Sequence, residues 1–394
     1  MKYTGVTARG ILTPIFQEGD DLVTLIVDSL IRAAEQENFL LNDRDIIGVT
    51  EAVLGRTQGN YATCGQIASD LADKLGNQTI GVVFPIMSRN RFAILLKAIA
   101  MAADKVYVQF SYPADEVGNR LIDREQFDLS GINPYSDHMN ESEFRALFDH
   151  DATRHLFTGV DYIEHYKEQG DNIEVIFSND PTHILRYTKN VLICDVHARN
   201  RTRRLIQQAG GERVFGLDQI LTRSVDGSGY NPEFGLLGAN KATEDKVKLF
   251  PRDAHLFVND LADQLLQRTG KNIEVMVYGD GCFKDPIGGI WELADPVVSP
   301  AYTPGLEGTP NEIKIKYFAD NELSDLRGEA LAQAVRERIR NKDTDLADSM
   351  ASQGTTPRRI TDLVGSLCDL VSGSGDRGTP VVLIQGYFTN FATI

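Results

Sequence analysis

The chain is short of basic charge, of closely spaced cysteines and of long apolar runs. Forty Lys and Arg residues stand against 56 Asp and Glu, a net charge of -16. That balance argues against general binding to nucleic acid or to an anionic membrane. A local basic pocket stays compatible with it, and Arg199, Arg201, Arg203 and Arg204 lie close enough together to make one. The four cysteines (Cys64, Cys194, Cys282, Cys368) are far apart and form no CxxC pair. A structural zinc is therefore not expected, and a reduced cytoplasmic protein fits best. No apolar run approaches the length of a membrane span, and Met1-Lys2-Tyr3-Thr4 leads into no signal-peptide core. Repeats, low-complexity tracts and long linkers are also missing, so domain boundaries are soft. What remains is ordinary globular composition, 42% hydrophobic and 24% charged over 394 residues, enough for two or three cores.

Regular elements are legible along much of the chain. Asp20-Asp21 caps a helix whose Leu22, Ile26, Leu30 and Ala34 recur at helical spacing. A strand comes next at Asp45–Thr50, then Glu51–Gly59, which reads as a Gly-punctuated loop carrying Arg56. Residues 61–110 alternate helix and strand, which predicts a mixed or parallel sheet covered by helices. Arg89 and Arg91 fall between the strand Thr79–Phe84 and the helix Phe92–Ala103, where anion sites often form, although surface arginines read the same way. Residues 111–171 are irregular and acidic and hold four of the seven histidines, which suggests an insertion or lid. Asp149-His150-Asp151 with His155 has metal-like spacing, but no HExxH frame supports it, and solvated surface is the expectation. Regularity returns over 172–394. The strand Asn190–Val196 ends in Asp195-Val196-His197 and meets Arg199 and Arg201 at a helix start, where α/β proteins place ligand chemistry. A strand-end Asp beside a basic helix end is the plainer description.

The densest chemistry lies in Asn272–Pro296. Alternating Ile273, Val275 and Val277 predict a strand with one buried face, ending at Gly279-Asp280-Gly281. Asp280, Asp285, Glu292 and Asp295 come soon after, with Gly288-Gly289 and the single tryptophan, Trp291, among them. Carboxylates on a glycine-rich loop past a strand suit Mg²⁺ or Mn²⁺, which take oxygen ligands and keep a phosphate partner. An ordinary acidic turn has the same composition.

With these segments in place, the chain resembles the coenzyme F420-0:L-glutamate ligase family, also described as F420-0:gamma-glutamyl ligases. Gly10-Ile11-Leu12-Thr13-Pro14 and Glu18-Gly19-Asp20-Asp21-Leu22 are similar to that family's opening nucleotide loop and first helix. Asp45–Gly59 resembles its strand and Ser-Lys-Ala-Glu-Gly loop, and Gly235–Asp253, Thr269–Trp291 and Gly373–Gly386 resemble its later blocks. The blocks cover roughly a fifth of the chain, and their order carries the likeness. The resemblance implies an α+β (mixed α/β) ligase-like fold with mixed sheets and flanking helices. Residues 1–110 and 172–394, with a metal loop at 278–296, would form the ligase-like domain around the 111–171 segment.

The implied reaction joins the amine of L-glutamate, or a similar amino acid, to a small carboxylate through an acyl phosphate. It uses GTP or ATP with Mg²⁺ or Mn²⁺. A cytoplasmic homodimer is implied with it. On that basis Asp280 and Asp285 are the catalytic and metal candidates, with Glu292 and Asp295 as further metal ligands. Gly10, Ile11, Leu12, Thr13, Arg56 and Lys241 are the nucleotide and phosphate candidates. Arg89, Arg91, His197 and Arg201 are candidates for the acidic substrate, from charge and position. Three departures stand out. Leu236-Leu237-Gly238-Ala239-Asn240 has no carboxylate where the family has a metal-binding Asp. Tyr278-Gly279-Asp280-Gly281 replaces Thr-Asp-Thr-Asn-Gly, and Arg56 stands for the family's Lys. They leave open a ligand-binding or regulatory protein that kept the fold without the catalysis, and another phosphotransfer reaction on the same core.

Overall fold

The chain opens with β1 (Thr7–Ile11), α1 (Leu22–Gln36), β2 (Ile46–Thr50), α2 (Glu51–Thr57), β3 (Tyr61–Thr63) and α3 (Cys64–Leu75). A central run holds β4 (Thr79–Val83), α4 (Phe92–Ala102), β5 (Lys105–Phe110), α5 (Arg124–Leu129), β6 (His138–Asn140) and α6 (Glu141–Leu147). It goes on through α7 (Tyr162–Lys167), β7 (Ile173–Ser178), β8 (Asn190–Ile193), α8 (Arg199–Gln208) and β9 (Arg213–Gly216). The last third has β10 (Asn240–Lys241), β11 (Lys246–Lys248), α9 (Ala254–Thr269), β12 (Glu274–Tyr278) and β13 (Ala301–Tyr302). It closes with α10 (Ile315–Asp320), α11 (Gly328–Arg340), α12 (Ile360–Ser372) and β14 (Val381–Gln385). This is a computed structural model, and it describes residues 4–280, 295–346, 349–352, 355, 358–372 and 376–393. Among them no helix is long and apolar enough to cross a membrane.

Three sheets organise these elements, and the architecture is mixed α and β, the class expected from the sequence. The first sheet has the order β1-β14-β2-β12-β13. In it β2 and β12 run parallel, with Glu274 opposite Ile46 and Tyr278 opposite Thr50, while β14 lies antiparallel to β2. Both faces of β12 are buried, not one. Ile273, Val275 and Val277 pack into a cluster with Leu261 and Leu265 of α9, while Met276 and Tyr278 pack with Val364 and Cys368 of α12. Helices on both sides remove the alternation that a half-solvated strand would show.

The second sheet has the order β6-β7-β5-β4-β8-β9, in which β6 runs antiparallel to β7 and all the other neighbouring pairs are parallel. Numbered along the chain, its parallel strands read third, second, first, fourth, fifth, which is the doubly wound order with its switch point between β4 and β8. Residues 111–171 are the crossover from β5 to β7. They lay aromatic residues on that sheet: the Phe144 and Phe177 rings stack at 4.0 Å, and Tyr166 donates its hydroxyl to the Ile86 carbonyl at 2.9 Å. His155, expected on solvated surface, is instead 7% exposed with Nδ1 against the Thr158 hydroxyl, because the crossover folds back onto the sheet. A third sheet, β10-β11-β3, joins the other two.

The helix expected after Asp20-Asp21 starts at Leu22, with the Asp21 side chain accepting from the Thr24 N–H. Glu51–Gly59 is not a loop over most of its length: residues 51–57 are α2, capped by Thr50 in an extended conformation. Gly55 belongs there for packing, since a Cβ would come within 2.9 Å of the Leu249 carbonyl oxygen.

Candidate active site

Parallel strands β2 and β12 end side by side, and an acidic residue lies just past each end. After β2 the Thr50 cap turns the chain so that Glu51 is the first residue of α2. After β12 come Gly279 and Asp280. The Asp295 carboxylate folds back against that turn, and its Oδ2 accepts the Asp280 N–H at 2.8 Å. The turn must be glycine at 279, because a Cβ there would sit 2.3 Å from Asp295 Oδ2. Asp295 is fully buried, whereas the Asp280 side chain keeps 29% of its exposure.

The cation that meets this pair comes from the other sheet. Arg91 ends the β4–α4 loop, and its fork donates through Nη1 to Asp295 Oδ1 at 2.6 Å and through Nη2 to Asp280 Oδ2 at 2.9 Å. The loop is fixed from below, since Ser88 Oγ accepts the Arg91 N–H and the Tyr166 hydroxyl accepts the Ser88 N–H. A second buried pair flanks the first. Lys248 of β11 donates to both oxygens of Glu51, at 2.7 and 2.6 Å. Burial pushes the Glu51 carboxyl up while the Lys248 charge draws it back. Burial and then the neighbouring Asp295 charge push Asp280 up to about 7 against the pull of Arg91. Three acids and two bases thus interlock where all three sheets meet.

Beside the strand ends opens a cleft of about 420 Å³, lined by Thr13, Thr50, Arg56, Tyr278, Asp369 and Thr379 among others. Arg56 is held there by donating Nε to the Phe16 carbonyl at 2.7 Å and Nη2 to Gln17 Oε1 at 3.3 Å. Gly10, Ile11 and Leu12 line a separate groove of about 870 Å³ between β1 and α1, and Thr13 borders both.

A family model described as F420-0:Gamma-glutamyl ligase matches residues 10–386. The chain belongs to this family. No curated protein sequence matches it. The match runs through the central parallel sheet as well as the blocks at either end, so the doubly wound unit lies inside the family-matched span.

Within this family member the candidate residues separate into groups. Asp280, Asp295 and Arg91 converge. Thr13 and Arg56 share the cleft, and Gly10–Leu12 sit in the neighbouring groove. Lys241 pairs with Glu244 at 2.7 Å, while its backbone N–H donates to the Asn90 carbonyl next to Arg91. Arg89 is exposed and faces the other way, close enough to His155 and His165 to help burial lower both imidazoles. Arg201 is exposed on α8, and His197 precedes that helix. The backbone N–H groups of Val196, His197 and Ala198 all donate to the Glu116 carboxylate, so the helix start already holds an anion of the chain's own. Asp285 and Glu292 lie outside the described residues.

Among the described residues no three His, Cys, Asp or Glu side chains gather as a metal ion would need. The two carboxylates that do converge close on a guanidinium, so as arranged they do not fit a divalent ion. Gly238 fits one no better. It has φ +73°, and a Cβ would lie 2.5 Å from the Phe250 ring, which leaves no room for a side chain of any kind. Glu51 and Lys248 escaped sequence reasoning. They are 197 residues apart, and the one local hint is that Glu51 comes directly after a strand and its cap.

Proposed function

We propose that this member of the family is a nucleotide-dependent amide ligase that joins L-glutamate, or a similar amino acid, to a small carboxylate. The observation that carries the reading is the set of strand ends: Asp280, Asp295, Glu51, Arg91 and Lys248 interlocked beside a cleft that contains Thr13 and Arg56. In the first step an oxygen of the acceptor carboxylate attacks the terminal phosphorus of GTP or ATP. The bond from that phosphorus to the bridging oxygen breaks, and the nucleoside diphosphate leaves with the electron pair. The amine then attacks the acyl carbon, the C–O bond to phosphate breaks, and the ammonium formed gives up its proton. Arg56 supplies positive charge in the cleft. Arg91 and Lys248 keep a cluster of acids from repelling the incoming phosphates. Mg²⁺ or Mn²⁺ belongs to this reading as the companion of the nucleotide. The small-molecule acceptor, the homodimer and the cytoplasmic setting belong to the same reading.

Thermal-shift measurements with GTP and with ATP, each with and without Mn²⁺, test the nucleotide. Release of diphosphate on mixing with L-glutamate and a panel of carboxylates tests the ligation. Nucleotide stabilisation with diphosphate release that requires both acceptor and amine supports the ligase. Gly238 and the Arg91-filled acid pair favour one other reading, a nucleotide-binding protein without ligation. Stabilisation with no diphosphate release under any acceptor would select it.

A further inference from the structure

We infer that Arg91 is a built-in cation of this site, holding the position between Asp280 and Asp295 that a divalent ion would otherwise take. Two carboxyl groups held close in a buried place repel one another unless a cation or a shared proton offsets their charge. Here that cation is the guanidinium fork, 2.6 Å from Asp295 and 2.9 Å from Asp280. Both Asp295 oxygens already accept hydrogen bonds, Oδ1 from Arg91 and Oδ2 from the Asp280 N–H, so an ion entering between the two carboxylates would have to displace the guanidinium. A Mg²⁺ or Mn²⁺ ion would need those oxygens as part of an octahedral shell. The side chain is also in no position to drift away. It is 15% exposed, and its backbone is pinned through Ser88 and Tyr166 to the parallel sheet.

The balance of charge points the same way. Glu51, Asp280 and Asp295 bring three carboxyl groups together, and Arg91 from the β4–α4 loop with Lys248 from β11 brings two cations to them, all within the fold. The site therefore has most of its counter-charge at any metal concentration. The parallel sheet is joined to the β2–β12 edge through the same contact. The consequence for catalysis rests on the proposed ligase reading, whereas the occupancy of the position by Arg91 does not.

The test is titration of nucleotide-free protein with Mn²⁺ alone, monitored by the electron-spin resonance of free Mn²⁺. Arg91→Ala should gain one Mn²⁺ site at least tenfold tighter than any in the wild type, while Arg91→Lys, which keeps a cation there, should gain none. Adding Asp295→Asn to Arg91→Ala should abolish the gain. An Arg91→Ala protein that titrates like the wild type, or a gain that survives Asp295→Asn, would overturn the inference. If Arg91→Ala does not fold in chelator, its refolding with Mn²⁺ is measured beside Arg91→Gln. Recovery of folded protein by Mn²⁺ supports the inference, and failure of both variants to respond to Mn²⁺ refutes it. Because no nucleotide is present, failure here is separate from failure of the thermal shift with GTP or ATP.

Discussion

Asp195 offers a measurement with a calculable size. Its residue is 2% exposed, Oδ2 accepts the Thr202 hydroxyl at 2.8 Å, and Oδ1 has no partner among the described residues. Burial pushes this carboxyl from 3.8 up to about 7, helped by the Glu116 charge nearby and opposed by Thr202 and Arg199. Between those two values the folded chain binds a proton that the unfolded chain has lost, so stability falls as pH rises. The full effect is about 4 kcal/mol at 1.36 kcal/mol per pH unit, and about 2.5 kcal/mol of it falls between pH 5 and 8. Asp195→Asn keeps the shape and cannot ionise. Urea unfolding of both proteins, monitored by circular dichroism at pH 5 and at pH 8, gives the double difference in which all other titrations cancel. The wild type should lose about 2.5 kcal/mol more than the variant over that interval. Parallel profiles, with a double difference under about 1 kcal/mol, would mean that Asp195 stays ionised in the fold, and the argument from burial would be wrong.

Three other perturbations probe the acid–base cluster and the cleft beside it. Lys248→Met leaves Glu51 buried without its partner and should cost about 3–5 kcal/mol in urea unfolding, while Glu51→Gln with Lys248→Met should recover most of that; a double variant as weak as the single one would contradict the pairing. Gly279→Ala forces a methyl group onto Asp295 Oδ2 and should destabilise by about 1–3 kcal/mol in the same assay, a cost absent if the turn can open freely. Arg56→Ala should weaken GTP or ATP binding by roughly tenfold or more, the worth of a charge-assisted hydrogen bond, as read by calorimetry; unchanged affinity would remove Arg56 from the nucleotide site.

Local chemistry made much of the fold legible. The Asp21 cap with its Leu22, Ile26 and Leu30 stripe, and the apolar run of β5, announce their elements because the forces that form them act within a few residues. The helix–strand alternation of 61–110 also implies a covered sheet. What it does not contain is the strand order, which depends on where β7, β8 and β9 return beside β4 and β5, and that is decided by packing. Residues 51–59 misled for a related reason. Gly55 reads as punctuation, yet its role is close approach to Leu249, which the sequence does not show. The site divides in the same way. Asp280 and Asp295 are visible as acids past a strand, and Arg91 as a cation in an anion-prone loop. Their meeting joins positions 204 and 189 residues apart, and no spacing rule reaches that far.

Both large sheets bring the same kind of edge to this place. Ligands of α/β proteins bind beyond the carboxyl ends of parallel strands, at the point where strand order reverses. In the second sheet that point lies between β4 and β8, and Arg91 sits over it, sharing a small apolar cavity with Cys194, Val196 and Gly238. In the first sheet the carboxyl ends are those of β2 and β12, which carry Glu51 and Asp280. Arg91 therefore belongs to two strand-end sites at once, as the last residue of one crossover loop and the counter-cation of the other sheet's acids. A change that moves the β4–α4 loop must then move charge at the proposed ligation site. Ser88 and Tyr166 set the position of Arg91 and with it the electrostatics of the cleft.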